Sequence, residues 1–442
     1  MITIYSSSDN TKRLEFIAEH LFRDVLGAEF QITSDALFYR TQTGPCINYS
    51  NETFNYGIRI FPQGLLFETG MHPIEDLQIA EWHDLFCFFY SGQGDLPFDV
   101  FAASFYLLSL YEEYFPSSLD EHGRWDHRNS LLFRHKVLDI PVIDRWAYRL
   151  KAALENAGFS TAGFRLRNYR AVSTYDIDYP FLYRYKGFIK NIGGGLRDLL
   201  KKNFKAVNIR LSALFRRSED PYMEALRLIH TTEMQANRSY YLFVLLGKKG
   251  KYGRSTLYSP QAYYRYLRRL SGVCIGLHPS YQTQPAQSYP TLMTEKRELE
   301  NILQQSVVRS RQHFLQMQVP GTFQRLLQAG ICEDFTLAFA KMPGFRSGTA
   351  VPHRFYDLQK DEVTDLCLHP TVMMDSTLIF HLKLTPEAAL EKIQALIDAC
   401  KQSGGDYLSL WHNSNLAGSP DENPWIRVFI ESHRYAISAE NH

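Results

Sequence analysis

Cysteine is sparse and scattered in this 442-residue chain. Cys46, Cys87, Cys274, Cys332, Cys367 and Cys400 form no C-x-x-C pair and no dense framework. That excludes a disulfide scaffold and a ribbon-type zinc module, so reduced structural thiols are expected. An excess of either charge is also missing. Lys+Arg 48 against Asp+Glu 47 leaves a formal +1, so a whole-molecule electrostatic grip on nucleic acid is excluded. No run reaches the ~18 apolar residues of a membrane span. The richest stretch, Phe98–Tyr114, contains Glu112 and Glu113 and reads as a buried helix. The opening M-I-T-I-Y-S-S-S-D-N lacks the basic and apolar segments of a secretory signal, so a cytoplasmic location is the expectation. Internal repeats and low-complexity tracts are absent as well.

What is present is core-forming material. The hydrophobic fraction is 45% and the aromatic fraction 14%, with 27 Tyr and 30 Phe. The length predicts two or three domains at roughly 100–200 residues each. Residues 1–165 read as a smaller α+β unit. Met1–Tyr5 alternates as a strand, and Asp9 or Asn10 is placed to cap a helix through about Leu26. Strands are expected at Ile47–Tyr49, Gly57–Phe61 and Leu65–Glu68, then helices at Phe98–Tyr114 and Ile143–Asn156. From 166 to 442 strands and helices alternate. Strands are expected at Arg170–Tyr175, Tyr240–Leu246, Val273–Gly276, Ser306–Arg309, Phe335–Ala338 and Tyr407–Trp411, and helices at Pro260–Leu270, Thr294–Gln304, Thr322–Ala329 and Pro386–Ser403. Such alternation indicates an α/β sheet or barrel, whose active site lies at the carboxyl ends of the strands. A basic helical insertion interrupts the pattern at about 181–235. Its first part, Phe181–Arg217, carries ten Lys/Arg and one acid, Asp198, with Ile189, Ile192, Leu196, Leu199, Leu200 and Phe204 at helical spacing.

Four constellations sit where strands end. S-T-Y-D-I-D-Y-P, Ser173–Pro180, offers one carboxylate for a hard cation and another as a base on cation-bound water, provided the strand breaks before Asp176. The same pattern also suits a solvated Asx turn. I-G-L-H-P-S-Y places His278 at the end of an apolar strand, as a metal ligand or as a hydrogen-bonded imidazole. In S-R-Q-H-F, Arg311 suits a bidentate grip on a carboxylate, and His313 shares its face in extended backbone; a basic surface strand end reads the same way. L-S-L-W-H-N ends in His412, suited to protonating a leaving group or to capping beside a core Trp. Arg346 in G-F-R-S-G-T and Asp375 in M-M-D-S-T-L are lesser candidates, more often structural.

Taken in order, these motifs resemble the polysaccharide deacetylase (NodB-homology) superfamily, which includes chitin and peptidoglycan N-deacetylases. T-Y-D-I-D-Y-P stands where that family carries a T-F-D-D-G-type motif, and I-G-L-H-P-S-Y where it carries H-[ST]-x-x-H. Arg311 answers its Arg-Pro motif, and Leu410-Trp411-His412 its Leu-x-His motif. The resemblance spans roughly residues 168–442. Residues 1–165 look like the accessory region preceding such a domain in some Bacteroidetes-type relatives. One position departs: Gln282 stands four residues past His278, where the family has a second His. His313 is the expected replacement.

The resemblance implies a distorted (β/α) barrel and a metal-dependent deacetylase acting on an acetylated, chiefly N-acetylated, sugar of a surface polysaccharide or glycan precursor. The implied metal ligands are Asp178, His278 and His313, with zinc the first expectation. Asp176 is then the base, Arg311 its orienting partner and His412 the acid. The alternative is a catalytically silent carbohydrate-binding or scaffold protein on the same fold. The basic excursion suits peripheral contact with an anionic membrane, or a solvated helical face. L-D-E-H-G-R-W-D-H-R-N-S, with His122, Arg124, Asp126 and His127, reads as a domain-docking or substrate-edge loop rather than a second metal site.

Overall fold

The computed structural model describes residues 1–9, 11–247, 261–284, 288–438 and 440, without the side chains of Phe188 and Ile189. The expected cap at Asn10, the start of the Pro260 helix and the side-chain pattern at Ile189 lie outside the described residues. In the first unit, β1 (Ile2–Ser6), β2 (Phe30–Thr33), β3 (Cys46–Tyr49) and β4 (Ile58–Arg59) form a parallel sheet in the order β2-β1-β3-β4. Helix α1 (Lys12–Ala18) and the wider turn Glu19–Val25 cross from β1 to β2, and α2 (Ala36–Arg40) from β2 to β3. A separate antiparallel hairpin joins β5 (Ile79–Trp82) to β6 (Leu85–Phe88). Helices α3 (Val100–Leu108), α4 (Leu131–Arg134) and α5 (Val142–Asn156) complete the unit.

Three expectations fail here. The cap of α1 is Thr11, not Asp9. Leu65–Glu68 is a turn, not a strand; Leu65 and Leu66 are buried because the turn after Gly64 (φ +94) presses them into the core. The helix expected over Phe98–Tyr114 stops at Leu108, where Leu110 turns left-handed (φ 55) before a short 3₁₀ turn, Tyr111–Tyr114.

The second unit is built on nine strands: β7 (Arg170–Ile177), β8 (Tyr240–Leu245), β9 (Val273–His278), β10 (Arg309–Ser310), β11 (Glu333–Asp334), β12 (His353–Asp357), β13 (Glu362–Leu368), β14 (Met373–Met374) and β15 (Asp406–His412). Their order is β12-β13-β11-β10-β9-β8-β7-β15-β14, parallel throughout except for the β12–β13 hairpin. The ladder is interrupted between β14 and β11, where Thr371 N, just before β14, donates to Leu337 O, just after β11, at 2.9 Å, so the architecture is a distorted α/β barrel. Helices α6 (Phe188–Leu200), α7 (Phe204–Leu214), α8 (Pro221–Gln235), α9 (Gln261–Arg269), α10 (Tyr289–Leu303), α11 (Gly321–Gln328), α12 (Pro386–Ser403) and α13 (Pro424–Ser438) accompany it. Central strands β7 and β15 are buried along nearly their whole length, as parallel strands covered on both faces must be.

Strand β11 occupies Glu333–Asp334 instead of Phe335–Ala338. The Asp334 carboxylate accepts from Thr336 N at 2.9 Å and turns the chain out of the ladder. The expected strand at Ser306–Arg309 shrinks to Arg309–Ser310, and α10 starts at Tyr289, before the expected Thr294.

The two units share a core. Phe339, Val351, Tyr356 and Leu358 pack into the hydrophobic cluster of the first unit. Polar pins reinforce the contact: Asp144 accepts from Ala350 N at 2.9 Å, and Arg13 Nε donates to Asp361 at 2.9 Å. Arg346, a lesser site candidate, grips Glu113 through two nitrogens at 2.8 and 2.6 Å and is part of this joint.

Candidate metal centre

Strand register brings the motifs together. In the parallel β7–β15 pair Asp176 lies opposite His412, and Thr174 opposite Leu410. Ile177 pairs with Val244, and Val244 with Leu277, so the next residues, Asp178 and His278, stand level at the carboxyl ends. Ser310 also pairs with Leu277, which puts Arg311 at that same level. The strand continues through Ile177, two residues beyond the expected break. It ends there, so Asp178 stands in the bend just past the strand, and both carboxylates reach the same mouth.

Asp178, His278 and His313 offer one ligand atom each within 4.8 Å of one another. His278 Nε2 is 3.3 Å from Asp178 Oδ1, and His313 Nε2 is 3.6 Å from the same oxygen. Tetrahedral zinc with bonds of roughly 2.0–2.2 Å holds its ligands about 3.3–3.5 Å apart, so the spacing fits that cation. The polar atoms make the same point. His278 Nε2 and Asp178 Oδ1, both facing the cluster, are buried with no hydrogen-bond partner. Orphans of this kind are rare in native interiors and call for an ion or water. His278 Nδ1 donates to Arg311 O at 2.6 Å, which fixes the tautomer that turns Nε2 towards the cluster. Burial alone would raise the Asp178 carboxyl, but His313, His278 and His412 hold it well below the usual carboxylate range. Gln282 is exposed in a 3₁₀ turn, and His313 occupies the third place of the trio.

Asp176 stands beside the trio, its Oδ2 3.7 Å from His278 Nε2. Its Oδ1 accepts from Arg311 Nη1 at 3.1 Å. Arg311 is fully buried and crosses the barrel interior, donating to Thr174 Oγ1 at 2.7 Å, Phe335 O at 2.9 Å and Thr371 Oγ1 at 3.2 Å. Its guanidinium also lies 4.7 Å from the Phe243 ring centre. A buried cation so fully paired is a fixed electrostatic element.

His412 faces the trio from the other side. Its Nδ1 donates to Asp375 Oδ1 at 2.7 Å, and its backbone N–H to Asp375 Oδ2 at 2.7 Å. Burial would lower this imidazole, yet the charge and hydrogen bond of Asp375, with Asp178 and Asp176 beyond, push it up to about 10. Asp375 is itself completely buried. It follows the two-residue strand β14 directly, in the M-M-D-S-T-L segment that made it a lesser candidate. Asn413, which the motif reading passed over, donates to Tyr179 O at 3.0 Å and ties the segment after Asp178 to the end of β15.

The mouth is a cavity of about 460 Å³, lined among others by Asp176, Asp178, His313, Tyr222, Phe380 and His412. That volume is within the range of small-molecule sites. The first unit closes one edge: Arg124 Nη1 donates to Phe314 O, and Gln316 Nε2 to His122 O at 2.8 Å. The His/Arg-rich loop thus docks the first unit on the barrel and lines the cavity with His122 and Arg124.

Residues 2–158 match the model of a family of unknown function, DUF7033. No curated protein matches the chain. Among solved structures it is similar to a protein classed provisionally as a polysaccharide deacetylase from Mycobacterium smegmatis, at 14% identity and TM-score 0.40, over 61% of this chain and 84% of that one. A probable polysaccharide deacetylase from Pseudomonas aeruginosa PAO1 aligns at 12% identity and TM-score 0.37, over 62% and 86%. A CE4 family pseudoenzyme from Bacillus anthracis aligns at 10% identity and TM-score 0.26, over 60% and 61%. Likenesses this distant leave the chemistry to be read from the cluster's own atoms.

Proposed function

We propose that the chain is a metal-dependent hydrolase that removes acetyl groups, chiefly N-acetyl, from a sugar of a bacterial surface polysaccharide or glycan precursor. One observation carries this reading. Around a single cavity stand a ligand trio with unsatisfied atoms, a carboxylate gripped by a buried guanidinium, and an imidazole gripped by a buried carboxylate. A divalent cation, with zinc the first choice, would supply Lewis acidity and lower the pKa of bound water from about 15.7 towards roughly 7. Asp178, His278 and His313 would hold it. Asp176 accepts the proton of the attacking water, and Arg311 keeps that carboxylate aimed. His412 carries the proton for the departing amine on Nε2, because Nδ1 is committed to Asp375. Zinc analysis of the full chain tests the base of this reading: about one tightly held zinc per chain supports it. The competing reading, a silent carbohydrate-binding protein, draws on Gln282 standing where the family pattern has its second His; chains that take up no metal even after zinc addition support that one.

The cavity walls favour a small acyl group on a ring-shaped carrier. Leu315, Ala340, Met374 and Leu410 form an apolar floor suited to a methyl group, and the exposed Phe380 ring offers a face to a sugar. Met374→Ala is expected to raise kcat/KM for propionyl over acetyl substrates by roughly tenfold or more, the worth of one methylene in such a pocket. An unchanged acyl preference places the acetyl elsewhere.

The His412–Asp375 pair gives a pH prediction. Activity that needs protonated His412 falls as pH rises through its pKa. Asp375→Asn removes the charge that raises it, so the alkaline limb of the kcat profile moves to lower pH. A simple loss of rate with the limb unmoved would leave Asp375 a packing residue only.

A further inference from the structure

The insertion between β7 and β8 is a helical arm built with its apolar residues outward. Helices α6 and α7 are joined through polar atoms: Arg210 Nη2 donates to Asp198 at 2.6 Å, and Arg210 Nη1 to Asn191 at 3.3 Å, with the guanidinium over the Tyr183 ring at 4.5 Å. This uses the only acid of Phe181–Arg217 inside the arm. Ile192, Leu196, Leu199 and Leu200 then line one outward stripe of α6, at i, i+4, i+7 and i+8, and all are exposed. Phe204, Leu211 and Phe215 repeat this on α7, with Phe204 67% and Phe215 71% exposed. Cations alternate with these stripes. Lys190, Lys201, Lys202, Arg216 and Arg217 are exposed, and the ion pairs among the described residues give them no acidic partner.

Both roots of the arm are fastened at the mouth of the cavity. The Asp220 carboxylate accepts from Leu182, Tyr183 and Arg184 N–H groups at 2.7, 2.8 and 2.9 Å, clamping the outgoing chain to the returning one. Asn413 Nδ2, beside His412, donates to Tyr179 O and Tyr222 O at 3.0 and 3.4 Å. Tyr222 lines the cavity itself. The arm is therefore fixed where substrate enters.

We propose that α6 and α7 dock this protein on an anionic bilayer surface, and that its acetylated substrate is a membrane-borne glycan. Leucine and phenylalanine stripes flanked by lysine are the composition of an interfacial helix, with aliphatic groups at the acyl boundary and ammonium groups at the headgroups. No described helix is long and apolar enough to cross a membrane, so the contact is peripheral. The exposed cations Lys190, Lys201, Lys202, Arg216 and Arg217 select an anionic surface. A protein partner would instead be met by a packed pocket with an aromatic anchor, whereas these side chains form open stripes. The substrate clause rests on the hydrolase reading; the docking clause does not.

Co-sedimentation of the full chain separates the two. With phosphatidylcholine vesicles containing about one third phosphatidylglycerol, binding is expected, weakening with added salt; pure phosphatidylcholine is expected to retain roughly tenfold less. The combined Leu196→Ser, Leu200→Ser and Phe204→Ser variant is expected to lose at least about tenfold in bound fraction. Lys201→Glu with Lys202→Glu gives an independent arm should that triple variant fail to fold. Deacetylation of a soluble acetylated amino sugar is expected to be unchanged in both. Binding indifferent to lipid charge, or unaltered in either variant, overturns the docking proposal. So does a dimer, seen by analytical ultracentrifugation, that either variant dissolves, because a second copy then covers the stripes. Vesicle binding without hydrolysis of any acetylated sugar sinks the hydrolase reading and the substrate clause while leaving the docking intact.

Discussion

Asp176→Asn is expected to leave zinc binding intact and to slow acetate release from an acetylated sugar by about 10²–10⁴-fold, the usual worth of a positioned general base. The separation of these two effects follows from geometry. Asp176 is outside the ligand trio, its nearer oxygen 3.7 Å from His278 Nε2, whereas Asp178 Oδ1 lies 3.3 Å from that nitrogen and 3.6 Å from His313 Nε2. The amide is isosteric and its oxygen still accepts from Arg311, so the barrel interior keeps its shape. What disappears is the ability to take a proton. Metal content and single-turnover acetate release, measured on the same sample, check the claim. Turnover near that of the unmodified chain would show that the base lies elsewhere. Loss of zinc would show that Asp176, not Asp178, is the carboxylate ligand.

Asp176, His278 and His412 could be named from sequence because each lies at the carboxyl end of an apolar strand, and parallel register carries strand ends to one edge. Asp176 and His412 are opposite each other in the ladder, and Asp178 and His278 share a level two strands apart. Once the strands are identified, topology places the side chains. The features that were hard to read are those that periodicity does not encode. Asp375 follows a two-residue strand, too short to give a pattern, yet it holds His412 at 2.7 Å. Asn413 and Thr174 act through hydrogen bonds to partners distant in sequence, two backbone carbonyls for Asn413 and the Arg311 guanidinium for Thr174. Leu65–Leu66 looked like a strand because apolar residues signal burial, and a turn can bury them equally well. Likewise, the shared core depends on Tyr356 meeting Phe16 and Phe105, 340 and 251 residues earlier in the chain, distances over which composition carries no information.

Arg311→Met is expected to destabilise the fold by about 3–5 kcal/mol, because removing one partner of a buried ion pair leaves the other charge unsolvated. Arg311 has no exposed surface, and its guanidinium holds together parts of the barrel that the ladder leaves unjoined: Thr174 on β7, and Phe335 and Thr371 on either side of the interruption. Methionine fills much of the volume but none of these contacts, so Asp176 loses its cation and the Phe335 carbonyl one of its donors. The Thr371 hydroxyl also donates to that carbonyl at 2.9 Å, which limits the damage on that side. The charge component can be isolated. Adding Asp176→Asn to Arg311→Met removes the stranded carboxylate, so the double variant should be more stable than the sum of the two single losses predicts, by about 0.5–3 kcal/mol. Urea unfolding of the four proteins measures that coupling. Arg311→Lys discriminates further: it keeps the charge but cannot span Thr174, Asp176, Phe335 and Thr371 at once, so it should recover part of the stability and little of the activity. If Arg311→Met unfolds within about 1 kcal/mol of the unmodified chain, or if the losses simply add, Arg311 does not hold Asp176 in place. The carboxylate would then need another source of alignment.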